Sequence, residues 1–580
     1  MPQELRVSIG QHSLAGPKPV NQDFHGAVVP TGPKLATQGV VLALADGISS
    51  SRVSQVASAA AVRSFLEDYY GTAETWTVRR AGQCVLEATN AWLHAQTRRS
   101  DARFDPDRGY VCTFSALILK GREGHLLHVG DSRIYRLHPQ ALEALTQDHR
   151  VRLSSAESHL ARALGADAAV EIDYRSWPLA EGEVYLLATD GAYEHLIAAD
   201  VHAALARHPA DLEACAAALT ATALARCSQD NITVQLVRIE SLPPAEAQAA
   251  ADAQRHLSFP PPLQARMRFE GYTLLRELHT SARSQVWLAT DDASGQPVAL
   301  KVPTQDLRTD AQAIDRFLLE EWVARRIDHP HVLKPASGEG DARVRQHLFV
   351  AMEHIDGQTL AQWMRDHPRP GLAEVRPWVQ QIAAGLQAFH RKEMLHQDLR
   401  PENLMIDRTG TLKLIDFGSV HVAGLAEAGL TERDPALAGT LQYLAPEYFV
   451  GQPPGVASEL FSLAVLTYQM LSGQLPYGLQ VPRLRSPRDL AGLRYIPLRQ
   501  HRPDLPAWLD TVLAKALHPQ PARRHEALSE FTHALAAPDP RWAEPARVPL
   551  IERHPVRFWQ TVSAVLGLTL LGVSAAWILR

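Results

Sequence analysis

The sequence predicts a multidomain α+β protein: two separately folded halves followed by an apolar C-terminal helix. Three observations lead there. The chain has 580 residues, more than one ordinary hydrophobic core serves. Two Pro- and Ala-rich stretches, 241–265 and 537–557, interrupt it. Repeated Pro disfavours continuous helix and central strand, so both read as linkers. They leave domains at 1–240 and 266–536, and the run 558–579 beyond them holds no charged residue.

Composition excludes several classes. A hydrophobic fraction of 46% and a charged fraction of 21% are those of globular protein. The net charge of −5, with no strongly basic block, argues against nucleic acid as the main partner. Cys84, Cys112, Cys215 and Cys227 form no C-x-x-C pair and read as reduced, partly buried thiols of a cytosolic compartment. The first residues lack the apolar core of a secretory signal.

The segment 1–240 alternates apolar strands with Asp-bearing turns. Val40 to Ala45 runs into Asp46-Gly47, and Leu126 to Val129 into Gly130-Asp131. Val184 to Ala188 leads through Thr189 into Asp190-Gly191, and Asp230-Asn231 opens the strand Ile232 to Val237. One Asp-Gly is an ordinary turn. Four carboxylates on strand ends, without His or Cys, suit hard cations such as Mg²⁺ or Mn²⁺. In order, Asn21-Gln22-Asp23, Asp46-Gly47, Val129-Gly130-Asp131-Ser132-Arg133, Leu145-Thr146-Gln147-Asp148-His149, Arg162-Ala163-Leu164-Gly165, Thr189-Asp190-Gly191 and Asp230-Asn231-Ile232-Thr233 follow one known pattern. It resembles that of the metal-dependent PPM (type 2C) Ser/Thr protein phosphatases.

That resemblance implies a β-sandwich flanked by helices and a site of two or three Mn or Mg ions. Asp46 would bridge two ions, with the Gly47 carbonyl on one of them, and Asp190 and Asp230 would hold the other. Asp23 would act through bound water, and Asp131 with Asp190 would hold a third ion. The reaction implied is metal-assisted hydrolysis of a phosphoester without a covalent intermediate. Two positions depart from the pattern. Lys18 stands where the family has an Arg for substrate phosphate, which keeps charge but loses bidentate recognition. Ser50 replaces the last Gly of D-G-x-x-G.

In 266–536, Tyr272 to Ala289 reads as two strands around a turn, Val298 to Val302 as a strand carrying Lys301, and Ala313 to Arg326 as an amphipathic helix carrying Glu320. Met394 to Ser419 then holds Asp398, Asn403 and Asp416, with Leu412, Leu414 and Ile415 leading Asp416 into a Phe-Gly turn. Phosphoryl transfer from a nucleotide needs such a set: one carboxylate for the acceptor hydroxyl, another with an amide for metal ions. The stretch resembles the catalytic and metal-binding loops of eukaryotic-like protein kinases, H-R-D-L-x-x-x-N followed by D-F-G.

This second resemblance implies a bilobal fold and the use of ATP with Mg. Lys301 would hold the α/β-phosphates and Glu320 would hold Lys301. Asp398 would take the acceptor proton, Arg400 would face the transferred group, and Asn403 and Asp416 would hold Mg. Met352, Glu353 and Ile355 fall on the adenine-binding hinge, Ser281 and Val286 on the loop covering the phosphates. Glu447 of Ala445-Pro446-Glu447 would pair with Arg524. The departures are that His279, Ser281 and Ser284 replace all three loop glycines, and that Gln397 replaces the Arg that pairs with an activation-loop phosphate.

At the far end, Phe558 to Leu579 would extend roughly 33 Å as a helix, enough for a bilayer. Trp559 and Trp577 lie near its ends, Arg553 and Arg557 precede it, and a buried core helix is the other reading. The expectation is a single-pass anchor in a bacterial inner (cytoplasmic) membrane with both domains in the cytoplasm. Two functional readings stay open besides that of an adaptor whose membrane tail and linkers recruit partners. One is a membrane-anchored enzyme with opposed Ser/Thr kinase and phosphatase activities. The other is an active phosphatase governed by a pseudokinase acting as sensor or scaffold. Its partners would be proteins carrying Ser/Thr or their phosphorylated forms. They would include its own kinase domain, through Ser419, Thr431 or Thr440.

Overall fold

Val40, Leu42 and Leu44 alternate along β3 (Val40–Asp46) with Val41, Ala43 and Ala45, and all six are fully buried. A strand buried on both faces must lie between two layers. The computed structural model shows them, and it describes residues 4–139, 141–152, 158–245, 257–336, 345–425, 441–537 and 555–578. One antiparallel sheet runs β1 (Arg6–Leu14), β12 (Ile232–Ser241), β11 (Val184–Ala188), β6 (Arg133–His138) and β7 (Ala141–Ala144). The other runs β10 (Asp173–Pro178), β5 (Glu123–Val129), β4 (Phe114–Lys120), β3 and β2 (Asp23–Val28). A short hairpin, β8 (Arg150–Arg152) with β9 (Ser158–Leu160), stands apart.

The sheets share one core. Leu42, Leu44 and Leu117 of one meet Ile134, Leu187 and Val237 of the other. On the first sheet's outer face, Leu186, Val234 and Leu236 pack with Val201 of α3 (Ala198–Arg207) and Leu219 of α4 (Leu212–Ala225). Helices α1 (Ser54–Tyr69) and α2 (Val78–Arg99) cover the second sheet. Each fully buried Leu or Val contributes about 1.5–3 kcal/mol, so the alternation fixes register. Register sets Asp23 directly opposite Asp46 across β2 and β3. Like charges so placed are destabilising, and a site explains them better than stability does.

The chain divides into two compact units. The first, residues 1–360, 384–398 and 402–438, holds the sandwich and a second sheet ordered β13 (Arg268–Phe269), β14 (Tyr272–Thr280), β15 (Ser284–Asp291), β16 (Pro297–Pro303) and β17 (Val350–Glu353). Helix α5 (Ala311–Arg326) follows β16; Asp310 caps it, accepting from the Ala313 amide at 3.0 Å. Smaller ladders join β18 (Gly357–Thr359), β20 (Leu404–Asp407) and β21 (Leu412–Leu414), and β19 (Met394–Leu395) with β22 (His421–Val422).

The second unit, residues 361–383, 399–401 and 439–580, is helical around α6 (Val456–Ser472), whose Leu460, Phe461, Leu463 and Leu466 are buried all round. Helices α7 (Ala507–Ala516) and α8 (Leu528–Ala536) add Leu509, Leu513, Phe531 and Leu535 to the buried set. Arg524 and Glu447 pair there through two 2.7 Å bonds with side chains 0% and 1% exposed.

The cysteines are free thiols, Cys84, Cys112 and Cys215 buried and Cys227 exposed. The C-terminal stretch forms one helix, α9 (Pro555–Ile578). Among the described residues, however, no helix is long and apolar enough to cross a membrane. Gln560, Thr561, Ser563 and Thr569 interrupt its apolar surface. The expected transmembrane segment is therefore not supported by the structure. Thr431 and Thr440 lie outside the described residues.

Candidate active sites

Strand ends place the first site. Asp46 ends β3, Asp190 follows β11, Asp230 precedes β12, Asp131 follows β5, and Asp23 opens β2. The Asp23 Oδ2 accepts from Thr233 Oγ1 at 2.6 Å and Thr189 Oγ1 at 2.9 Å, while its buried Oδ1 has no hydrogen-bond partner. Asn231 ties β12 to the incoming loop: its Nδ2 donates to Ala15 O at 2.8 Å and Val20 O at 3.0 Å, and its Oδ1 accepts from the Gln22 amide at 2.8 Å. The Gly47 amide donates to Gln22 O at 3.1 Å, which locks the turn after Asp46. Gly191 is required by space, since a Cβ there would stand 2.1 Å from Asn231 O.

The electrostatics demand a cation. Burial raises Asp23 to about 6, against the hydrogen bonds from Thr233 and Thr189. Burial, then Asp131 and Asp230, raise Asp190 to about 7. Burial pushes Asp46 well above the carboxylate range, and Asp23, Asp190, Asp131 and Asp230 push it further. Carboxylates this close and this dry cannot all ionise without positive charge among them. The chain supplies some: Lys18 pairs with Asp230 and donates to Ser49 Oγ at 2.7 Å. Arg150 pairs with Asp131 and, at 3.0 Å, with Asp190 Oδ2.

Among the described residues no three His, Cys, Asp or Glu side chains already converge as a ligand set for one ion. The orphaned Asp23 Oδ1 and the all-oxygen donor set nevertheless fit Mg or Mn. Lys18 lies on the Asp230 carboxylate itself, an arrangement its expected role on substrate phosphate did not include. Arg150 gave no signal in the sequence, because only tertiary folding carries its hairpin to Asp131.

The second site is assembled around Lys301 on β16. Its Nζ donates to Glu320 Oε1 and Oε2 at 2.7 and 2.8 Å and to Asp416 Oδ1 at 3.0 Å. Burial opposes the ammonium, but Asp416 and Glu320 outweigh it and raise its pKa. Lys301 in turn holds Asp416 down to about 2. Asp416 sits at φ 67°, a strained conformation for a residue other than glycine that the ion pair and the Gly418 amide help to hold. Asn403 Nδ2 donates to Asp398 Oδ2 at 2.7 Å; the other carboxylate oxygen, Oδ1, is buried without a hydrogen-bond partner. The His396 ring packs edge-on against Phe389 and Phe417 at 5.5 and 6.2 Å, fixing the two loops together.

The glycine-free loop is a tight turn between β14 and β15. Ser281 Oγ accepts from the amides of Arg283 and Ser284 at 3.3 and 3.1 Å. Those are amides that a glycine loop would point at phosphate. Val286 lies on β15 opposite Lys301, and Met352 is buried on β17 opposite Ala299. The Glu353 carboxylate is committed to Lys413 at 2.6 and 2.7 Å, and its amide donates to Lys334 O at 3.0 Å. Ile355 is buried, and Arg400 stands half-buried two residues beyond Asp398.

Comparison with known proteins follows the same division. Residues 15–230 match the family model of protein phosphatase 2C, and residues 272–536 that of the protein kinase domain. The serine/threonine-protein kinase pkn2 of Myxococcus xanthus is 32% identical over 46% of this chain and 32% of its own length. PknA of Mycobacterium tuberculosis is 28% identical over 48% of this chain and 66% of its own. The chain thus spans between a third and two thirds of the length of these curated relatives. A solved structure of the catalytic domain of the serine threonine protein phosphatase PstP, in complex with 2 manganese ions, is 23% identical, with a TM-score of 0.34, over 41% of this chain and 99% of that one.

Proposed function

We propose that this chain, which carries a protein phosphatase 2C domain and a protein kinase domain, is a bifunctional enzyme that both adds and removes phosphate on Ser/Thr of proteins. The observation that carries the kinase half is the closed contact set Lys301–Glu320–Asp416 beside Asp398 and Asn403. Asp398 is placed to take the proton of the acceptor hydroxyl as its oxygen bonds to the γ-phosphorus and the bond to the β-phosphate oxygen breaks. Lys301 fixes the phosphates of ATP, and Asn403 and Asp416 would hold Mg. The pseudokinase reading rests on the glycine-free loop, and the intact contact set weighs against it.

For the phosphatase half, Asp46, the Gly47 carbonyl, Asp190, Asp230, Asp23 and Asp131 would hold Mn or Mg. When bound, these ions supply positive charge to the phosphoester and acidify water. Thr189 and Thr233 keep Asp23 oriented, and Lys18 brings positive charge to the same edge of the site. The test is phosphoryl transfer from ATP by the full chain carrying Asp46→Asn, so that hydrolysis does not erase product. Asp416→Asn on that background should abolish transfer, and unchanged transfer refutes the kinase. Chelator-sensitive hydrolysis of an aryl phosphate, lost in Asp190→Asn, is expected of the other half; hydrolysis indifferent to chelator refutes it. The same reading includes a membrane anchor at 558–579, both domains in the cytoplasm, and the chain's own kinase domain as one substrate. Recovery of the full chain in the soluble fraction after lysis would remove the anchor.

A further inference from the structure

Helix α5 presents two faces. At about 100° per residue, Asp315, Trp322 and Arg326 lie roughly 200–240° around the helix from Glu320, on the opposite side. That outer face is not in solvent, for Trp322 is 0% exposed. What covers it is the phosphatase 2C domain, and both belong to the same compact unit. The indole Nε1 of Trp322 donates to Asp68 O at 3.2 Å, and Arg326 Nε donates to Asp68 Oδ2 at 2.9 Å, with side chains 5% and 9% exposed. Arg326 also lies over the Trp322 ring at 4.6 Å, and Trp76 packs against that ring at 6.4 Å. Arg80 of α2 reaches Asp315 at 3.4 Å.

A second contact lies along α2. Trp92 Nε1 donates to Arg391 O at 3.1 Å, and Arg99 grips Glu393 at 2.5 and 3.1 Å, three residues before His396. Gly424 (φ 88°), beyond the Phe417-Gly418 turn, approaches so closely that a Cβ would stand 2.6 Å from Glu87 O. The kinase elements that carry Glu320, and those that flank Asp398 and Asp416, are thus braced by two helices of the other domain.

We propose that Asp68 is a positioning residue for the kinase: by holding Trp322 and Arg326, α1 keeps helix α5 where Glu320 reaches Lys301. The phosphatase domain is then the built-in partner that sets the kinase's active arrangement, and this rests on the kinase reading above. The contact is specific in chemistry. A buried carboxylate takes a guanidinium while its own carbonyl takes the indole, so an apolar slide of the helix would leave both unmatched.

The experiment uses the full chain with Asp68→Ala, Asp68→Arg, and the exchanged pair Asp68→Arg with Arg326→Asp. Phosphoryl transfer is read on the Asp46→Asn background, and hydrolysis on chains with Asp46 intact. We expect transfer to fall on the order of tenfold or more in both single variants. Hydrogen exchange of 311–326 should rise with it, and both should return toward the parent in the exchanged pair. Hydrolysis, whose carboxylates Asp68 does not touch, stays unchanged and reports that the domain is folded. Transfer and exchange both at parent levels in Asp68→Arg overturn the proposal, as does loss of transfer without any change in exchange. If the parent itself transfers no phosphate, the kinase reading falls, and the exchange of 311–326 alone decides whether Asp68 holds the helix.

Discussion

Glu320→Gln isolates the charge that holds the kinase site together. The amide keeps the shape, and its oxygen still accepts from Lys301 where the carboxylate does at 2.7 Å. The second contact, at 2.8 Å, becomes an amide donor facing an ammonium donor and is lost. A hydrogen bond to a charged group is worth about 1.5–3 kcal/mol, so the second contact takes that with it, and the first weakens by about 1 kcal/mol as its acceptor loses its charge; together the two changes remove about 2.5–4 kcal/mol. Glu320 is buried, and burial raises its pKa, so its ionised form carries a desolvation cost that the amide escapes; that returns about 1 kcal/mol. The net loss of about 1.5–3 kcal/mol predicts a kcat/KM for phosphoryl transfer roughly 10- to 150-fold lower. The assay is initial-rate transfer from ATP to an added Ser/Thr protein acceptor, on the Asp46→Asn background. Aryl phosphate hydrolysis by the matching Asp46 chain serves as the fold control. A rate within about twofold of the parent refutes the reasoning, because the Lys301–Glu320 pair would then have no part in turnover.

Other consequences can be measured on the same chain. Ser281→Gly releases the two amides its hydroxyl engages, and the apparent KM for ATP should fall roughly 2- to 10-fold, read from initial rates. Arg524→Ala leaves the Glu447 carboxylate buried and unpaired, and should cost the kinase domain about 3–5 kcal/mol in urea unfolding. Exchanging both partners for leucine should recover most of that. His128 is fully buried, accepts from Ser115 Oγ at 2.9 Å and donates to Gln147 O at 3.1 Å. Burial, helped by His149, lowers it from 6.5 to about 4. The unfolded chain therefore takes up a proton below pH 6.5 that the folded chain refuses until about pH 4. Stability is intact above pH 6.5 and declines by about 3 kcal/mol toward pH 4. His128→Gln should flatten that slope in urea midpoints taken at pH 7 and pH 5.

What the sequence discloses depends on how local the cause is. Asp46, Asp190 and Asp230 are legible because an apolar run that stops at an acid is a short-range pattern, and the fold puts those stops on one edge. Lys301, Glu320 and Asp416 are legible because each sits in a short pattern of its own, a strand, an amphipathic helix and a strand that runs into a Phe-Gly turn. The opposition of Asp23 to Asp46 is not, since pairing of β2 with β3 is a register between strands. Ser281 reads as a small glycine substitute, but its hydroxyl is what matters, because it turns back on the loop amides. Arg150 and Asp68 are illegible: each meets its partner only through tertiary contact. Periodicity in Ala313 to Arg326 finds the core-facing side and cannot say that Trp322 and Arg326 need a second cover.

One residue type stands in opposite states at the two sites, and the difference lies in how each fold supplies positive charge. Asp416, although its side chain is 43% exposed, is held at about 2 because Lys301 sits 3.0 Å away and is itself fixed by Glu320. Asp190 is raised to about 7 and Asp46 well above the carboxylate range, first by burial and then by the neighbouring carboxylates, and among the described residues Lys18 and Arg150 are the cations paired with this group. The kinase site carries its counter-charge in the chain and uses it to place Asp416 before nucleotide arrives. The phosphatase site leaves a deficit that soluble cations must fill, and Lys18 and Arg150 occupy the carboxylates that those cations need. Divalent ions and these two side chains therefore compete for the same oxygens. Asp230 would hold a divalent ion only by giving up its pair with Lys18, and that ammonium would then be available to a substrate phosphate.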